Sequence, residues 1–278
     1  MRKRSVGRGS TSESMAAVVM SASLGLVLLA GCASEGEPPD TGTTSSSSSA
    51  ADTVQYVALG DSWPYGGHCG GCETFVDRYV SDLEEALGVP VEFIDETRNG
   101  GDTAAMLDLV STDESVRSAL ADADIIVVST GLNDLDTSGA LEAIADGSCG
   151  PEDACLNDVF STWRENFAGI LDEIEQLRSG GPTVLRLVTA QNIFVSDPSI
   201  GADYGLPAEF ATNAGRRLTT ELTNVMCEAA AAHDGMCVDV AALFNGPTGT
   251  AARDENTPES HQEVADALAA TGTAELER

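Results

Sequence analysis

Val54-Gln55-Tyr56-Val57-Ala58-Leu59-Gly60-Asp61-Ser62-Trp63 is the stretch on which the fold turns. Its first six residues form an apolar run interrupted only by Gln55, and Gly60 ends it. A short apolar run bounded by turn residues reads as a strand buried on both faces. Four more such runs follow at Val89–Ile94, Asp124–Ser129, Thr183–Ala190 and Cys237–Val240. The intervening segments repeat apolar residues at helical spacing. Phe75, Tyr79, Leu83 and Leu87 share one face, as do Phe160, Trp163, Phe167, Ile170 and Ile174. Further helices are expected over Glu209–Ala232 and His261–Ala270. Strands alternating with helices predict an α/β domain with a parallel sheet covered on both faces. The ligand site of such a sheet lies beyond the carboxyl ends of its strands.

The residues just after each strand therefore carry the functional reading. Ser62 follows the first strand, where a nucleophile is wanted, although Asp61 or Ser62 could equally cap the next turn. The second strand leads into Arg98-Asn99-Gly100-Gly101-Asp102-Thr103, whose glycines let the backbone approach an anion or simply form a turn. The third runs into Gly131-Leu132-Asn133-Asp134, where Asn133 can offer an N–H to a developing oxyanion or close an Asx-turn.

Taken in order, Gly60-Asp61-Ser62, Gly101 and Gly131-Leu132-Asn133-Asp134 resemble the first three blocks of the SGNH (GDSL-type) hydrolase family, over nearly all of residues 54–272. The resemblance implies a three-layer αβα sandwich with a five-stranded parallel sheet. It also implies that Ser62 attacks an ester carbonyl, with the Ser62 N–H, the Gly101 N–H and the Asn133 amide holding the oxyanion. A serine hydroxyl is a weak nucleophile near neutral pH, so a base must take its proton. No cofactor and no metal are expected.

The family's last block, usually Asp-x-x-His, is altered. The chain reads Ala252-Arg253-Asp254-Glu255-Asn256-Thr257-Pro258-Glu259-Ser260-His261. Thr257–His261 resembles the helix start that follows the catalytic histidine in many members. An ungapped match then puts Glu255 at the histidine position and Ala252 at that of the acid. A two-residue gap puts Asp254 and Thr257 there instead. Only His68, His233 and His261 exist. His261, in the right block, is the expected base, with Asp254 orienting it. His68 is the alternative, and His233 is expected to serve a helix C-terminus.

Residues 1–31 combine a basic head (Arg2, Lys3, Arg4, Arg8), an apolar run from about Met15 to Ala30, and Leu29-Ala30-Gly31 before Cys32. The run is short for a membrane span and has the layout of a secretory signal. Its end resembles a bacterial lipobox, which implies lipidation of Cys32. Residues 32–52, rich in Ser, Thr, Gly, Pro and acid, read as a flexible tether, and residues 53–278 as the hydrolase domain. The expected location is the outer face of the bacterial cytoplasmic membrane, within the cell envelope, with the lipid on Cys32 as the membrane contact. In an exported chain the six remaining cysteines point to disulfides, and their grouping suggests Cys69–Cys72, Cys149–Cys155 and Cys227–Cys237. Cys69-Gly-Gly-Cys72 also reads as half a zinc site or a redox pair, but no second pair at ligand spacing accompanies it.

The chain carries 14 basic and 45 acidic side chains, a formal net charge of −31. Losing residues 1–31, with four basic residues and Glu13, makes it more acidic still. A phosphate backbone would be repelled, which excludes nucleic acid as the expected partner. The function these readings predict is cleavage of acyl or acetyl esters outside the cytoplasm, on a small-molecule or glycan ester. Short acyl groups suit the glycine-rich loops and the lack of an apolar lid. Two other classes stay open: a catalytically silent domain binding an envelope glycan or a protein, and a thiol–disulfide oxidoreductase using Cys69 and Cys72.

Overall fold

The computed structural model describes residues 53–178, 181–246 and 251–277. The expected signal peptide, the expected lipidation at Cys32 and the expected tether fall on residues 1–52, outside the described residues. The first half of the described chain runs β1 (Val54–Gly60), α1 (Phe75–Leu87), β2 (Val91–Thr97), α2 (Thr103–Thr112), α3 (Glu114–Asp122), β3 (Ile125–Ser129), α4 (Asp134–Thr137) and α5 (Ala140–Ala145). It continues with α6 (Leu156–Arg178), β4 (Val184–Val188), α7 (Ile193–Ser196), α8 (Pro198–Asp203), α9 (Ala214–Ala232), β5 (Met236–Val238), α10 (Val240–Asn245) and α11 (Pro258–Ala269). All five strands are parallel, in the order β2-β1-β3-β4-β5.

The period-two alternation of side chains sends each strand to two cores. Val57, Leu59, Ile126, Val128, Leu185 and Leu187 pack with α2, α3, α6 and α9 on one face. Tyr56, Ala58, Ile125, Val127, Val184 and Val188 pack with α1, α10 and α11 on the other. The result is the expected three-layer αβα sandwich. The longest helix, α6, buries Leu156, Val159, Phe160, Trp163, Phe167, Ile170, Leu171 and Ile174 along one stripe, the face its spacing predicts. Strand bounds shift where hydrophobicity outruns the ladder. The run at Val89 becomes a strand only after Pro90, which has no N–H to give, and then pairs with β1 from Val91 to Thr97. The helix expected from Glu209 begins at Ala214, after a turn region. All three expected disulfides are formed, closing the loops before α1 and α6 and tying α9 to β5.

Arg186, in the middle of β4, is fully buried. Its guanidinium donates to Glu275 at 3.0 and 3.3 Å, to Thr271 Oγ1 at 2.6 Å, and to the carbonyls of Leu185 and Gly272. The C-terminal segment is thereby clamped over the sheet. Removing one partner of a buried pair leaves the other charge uncompensated. Glu275→Ala is expected to destabilise the fold by about 3 kcal/mol in denaturant melts. Adding Arg186→Leu should recover part of that loss. A change below about 1 kcal/mol for Glu275→Ala alone would show that Thr271 and the two carbonyls suffice to hold the charge.

Candidate active site

Register alone brings the three blocks together. Gly60 pairs with Thr97 on β2 and with Ser129 on β3. β2 and β3 lie on opposite sides of β1, so the chain emerges at a switch point of the sheet, where a crevice opens. Two residues beyond Gly60 stands Ser62, four beyond Thr97 stands Gly101, and four beyond Ser129 stands Asn133. Asn133 Nδ2 donates to Gly101 O at 2.9 Å, which joins the second and third blocks directly. Asp134 locks the same junction: its buried carboxylate accepts from Thr103 N at 3.0 Å and from Thr103 Oγ1, a hydroxyl that also accepts from Asn166 Nδ2 at 2.8 Å. Burial pushes the Asp134 carboxyl upward against those bonds.

The turn carrying Ser62 is tightly built. The N–H of Asp61 donates to Ser129 O at 3.0 Å, and that of Arg98 to Gly60 O at 2.8 Å, so both neighbouring strands grip the exit of β1. A Cβ on Gly60 would lie 2.7 Å from Ser129 O and collide with the Pro64 ring, hence the glycine. Asp61 is buried and accepts from the Trp63 N–H at 3.2 Å, with further bonds from Thr130 and from the Gly131 N–H. Asp61 therefore does cap the turn. Burial is the main reason its carboxyl is raised to about 7, and the Asp134 charge adds to it. Ser62 is partly exposed. Its N–H meets no acceptor among the described residues. The N–H of Gly101 is less free, closing a turn onto Arg98 O at 3.3 Å. A cavity of about 80 Å³ opens beside these loops, lined by Gly60, Arg98, Gly101, Asp102, Ala105, Met106 and Leu109.

The expected base is placed elsewhere. His261 has no exposed surface and packs against the Trp63–Phe75 ring pair, with ring centroids 5.8 and 6.0 Å away. Its Nδ1 accepts from the Phe75 N–H at 3.2 Å, so the proton sits on Nε2, which is buried without a partner. Burial, helped by the positive charge of Arg78, lowers the imidazole to about 4. A base must reach both the serine and the water that later attacks the acyl group, and a sealed ring reaches neither. Asp254 is exposed and accepts from the Asn256 N–H at 2.9 Å, so it orients no histidine. His68 is exposed. His233 ends α9 and pairs with Glu175 at 2.7 Å, on α6. Helix α11 begins with Thr257 as its N-cap, accepting from the Ser260 N–H at 3.1 Å, which assigns Thr257 to capping.

Tertiary structure also assembles two groups that local reading missed. His261 approaches the cysteines of the first loop, so that one ligand atom from each of Cys69, Cys72 and His261 lies within 4.8 Å of the others. The disulfide occupies both sulfurs, so the group is closed to a metal in this state. The second is Gln191, fully buried after β4, which donates to Arg253 O at 3.1 Å and to the carboxyl of Glu255. A polar side chain following a strand was the available signal for Gln191.

An αβα sandwich with a serine and an Asn–Gly junction at its switch point defines an ester-hydrolase class of protein. The chain belongs to the GDSL-like lipase/acylhydrolase family, whose model matches residues 58–261. No curated protein matches it. Among solved structures it is similar to the lipase Lip_vut3 from a goat rumen metagenome, at 22% identity and a TM-score of 0.61, over 79% of this chain and 98% of that one. It also resembles phospholipase A1 from Streptomyces albidoflavus NA297, at 16% identity and a TM-score of 0.53, over 80% and 99%. The extracellular lipase of Streptomyces rimosus follows at 13% and 0.51, over 78% and 99%. These likenesses are of fold. The family makes the protein a hydrolase of carboxylic esters.

Proposed function

We infer that the protein cleaves short-chain acyl or acetyl esters outside the cytoplasm, through an acyl-enzyme on Ser62. The observation that carries the reading is the Asn133–Gly101 hydrogen bond beside the turn that presents Ser62. In this reading Ser62 Oγ attacks the carbonyl carbon, and the oxyanion forms among the Ser62 N–H, the second amide hydrogen of Asn133 and the Gly101 N–H, which gives up its long bond to Arg98. Preorganised donors of this kind stabilise charge that exists only in the transition state. The small cavity bounded by Ala105, Met106 and Leu109, beside Gly60 and Gly101, suits a short acyl chain. The basic head, apolar run and Cys32 of the first residues support export and lipid anchoring at the outer face of the membrane, and the acidic surface suits an uncharged ester.

Fluorophosphonate labelling of the folded protein tests the mechanism. Mass mapping should find the adduct on the peptide containing Ser62. A folded protein that takes no label, or takes it on another residue, would turn the reading toward a binding domain.

A further inference from the structure

The altered last block delivers a carboxylate to the place where the mechanism lacks a base. Trp63 Nε1 donates to Glu255 O at 3.2 Å, a contact spanning 192 residues. The Glu255 carboxyl accepts from the side chain of Gln191, at the end of β4, and stands close enough to Asp61 for their charges to repel. Asp61 and Trp63 flank Ser62 in sequence, so these contacts tie Glu255 to the turn that carries the nucleophile. Its loop is built to keep it there. Arg253 Nε donates to Ser260 Oγ at 3.3 Å and pairs with Glu263, its guanidinium lies 4.6 Å from the centre of the Phe244 ring, and Ser260 Oγ donates to Asp254 O at 2.6 Å.

We propose that Glu255 is the general base of this enzyme, taking the Ser62 proton in the role a histidine fills elsewhere in the family. The proposal rests on the Ser62 reading above. Other groups near the nucleophile are committed: Asp61 to the turn, Asp254 to Asn256, and His261 to Phe75 in a sealed core. Among the described residues His68, exposed just before the Cys69–Cys72 loop, competes.

The chemistry of the site suits the role. An ordinary glutamate near 4.5 is a weak base at neutral pH, but burial first, then the charges of Asp61 and Asp254, raise Glu255 to about 7 against the lowering effect of the Gln191 bond. A base poised near the working pH combines an adequate deprotonated fraction with adequate driving force. As Oγ bonds to the carbonyl carbon, the Glu255 carboxylate accepts its proton. The C–O bond to the alcohol then breaks, and the same proton passes to the leaving oxygen. In the second half Glu255 takes a proton from water as its oxygen bonds to the acyl carbon. The acyl–Oγ bond breaks and Ser62 recovers a proton, leaving acid, alcohol and free enzyme.

Hydrolysis of p-nitrophenyl acetate by the full chain, followed against pH, tests this. The wild-type kcat/KM should rise about tenfold per pH unit below about 7 and level off above it, because the deprotonated form is the active one. Glu255→Gln should lower the plateau by about 10²–10⁴-fold and remove the limb. Glu255→His should recover at least about tenfold over Glu255→Gln, with a limb set by the imidazole. Asp61→Asn, by removing a negative neighbour, should move the wild-type limb to lower pH. His68→Gln should stay within about threefold of wild type. A Glu255→Gln enzyme that melts normally and hydrolyses within about threefold of wild type overturns the proposal, as does a His68→Gln loss as large as that expected for Glu255→Gln. If Glu255→Gln does not fold, a Glu255→His enzyme with the unchanged wild-type profile overturns it equally. Failure of the Ser62 reading looks different: the wild type itself would neither label nor turn over.

Discussion

Ser62→Ala is expected to lower ester turnover by about 10⁴–10⁶-fold, the scale on which a covalent nucleophile acts when its partners can do nothing without it. The change is a single oxygen on a partly exposed residue, so the melting temperature should hold and loss of activity cannot be blamed on loss of fold. The residual rate is informative. The Asn133 amide and the Ser62 N–H survive the substitution, so hydrolysis by direct attack of water should remain above the uncatalysed reaction. A fall of less than about tenfold, measured with purified variant and wild type side by side, would mean that another group carries the acyl transfer.

Asn133→Ala should lower kcat by about 10²–10³-fold with little change in KM, because the lost donor acts on an oxyanion absent from the bound ester. One amide hydrogen of Asn133 already holds Gly101 O at 2.9 Å. Losing that bond removes about 1 kcal/mol of stability, a shift of a few degrees, which separates the structural part of the effect from the catalytic part. The junction keeps its second lock, the buried Asp134–Thr103 pair. An effect below about threefold on kcat would remove Asn133 from the oxyanion hole.

Charge at the site makes its behaviour depend on pH in one direction. Asp61 and Glu255 are both raised to about 7, chiefly by burial. A carboxyl raised in the folded state favours folding while protonated, so their contribution to stability is present at acid pH and lost as pH rises through about 7. The deprotonated form that catalysis would use is therefore the less stable one, a common tension at functional sites.

Much of the fold is legible in the sequence because its determinants are local. The apolar run of Val54–Leu59 ends at Gly60, and the Trp163 stripe repeats at helical spacing, so strand and helix follow from period alone. Once the strands are parallel and in register, Ser62, Gly101 and Asn133 arrive at one edge together, since each lies a few residues beyond a paired position. The close cysteine pairs were equally readable, because a short loop leaves each thiol few other partners.

What tertiary structure alone decided is the surroundings of each side chain in the last block. No period governs residues 252–257, so the sequence pointed to His261 by its block alone, with His68 as the alternative, while alignment put Glu255 or Thr257 at the histidine position. Partners far along the chain set those surroundings: Trp63 on Glu255 O, Gln191 on its carboxyl, and Phe75 on His261. The same holds for Arg186, an ion inside a strand whose run reads as apolar, tolerated only because Glu275 folds back over it. Local pattern determines where the chain goes. Long-range contact, which alone sets burial and hydrogen-bond partners, determines which groups are left to act.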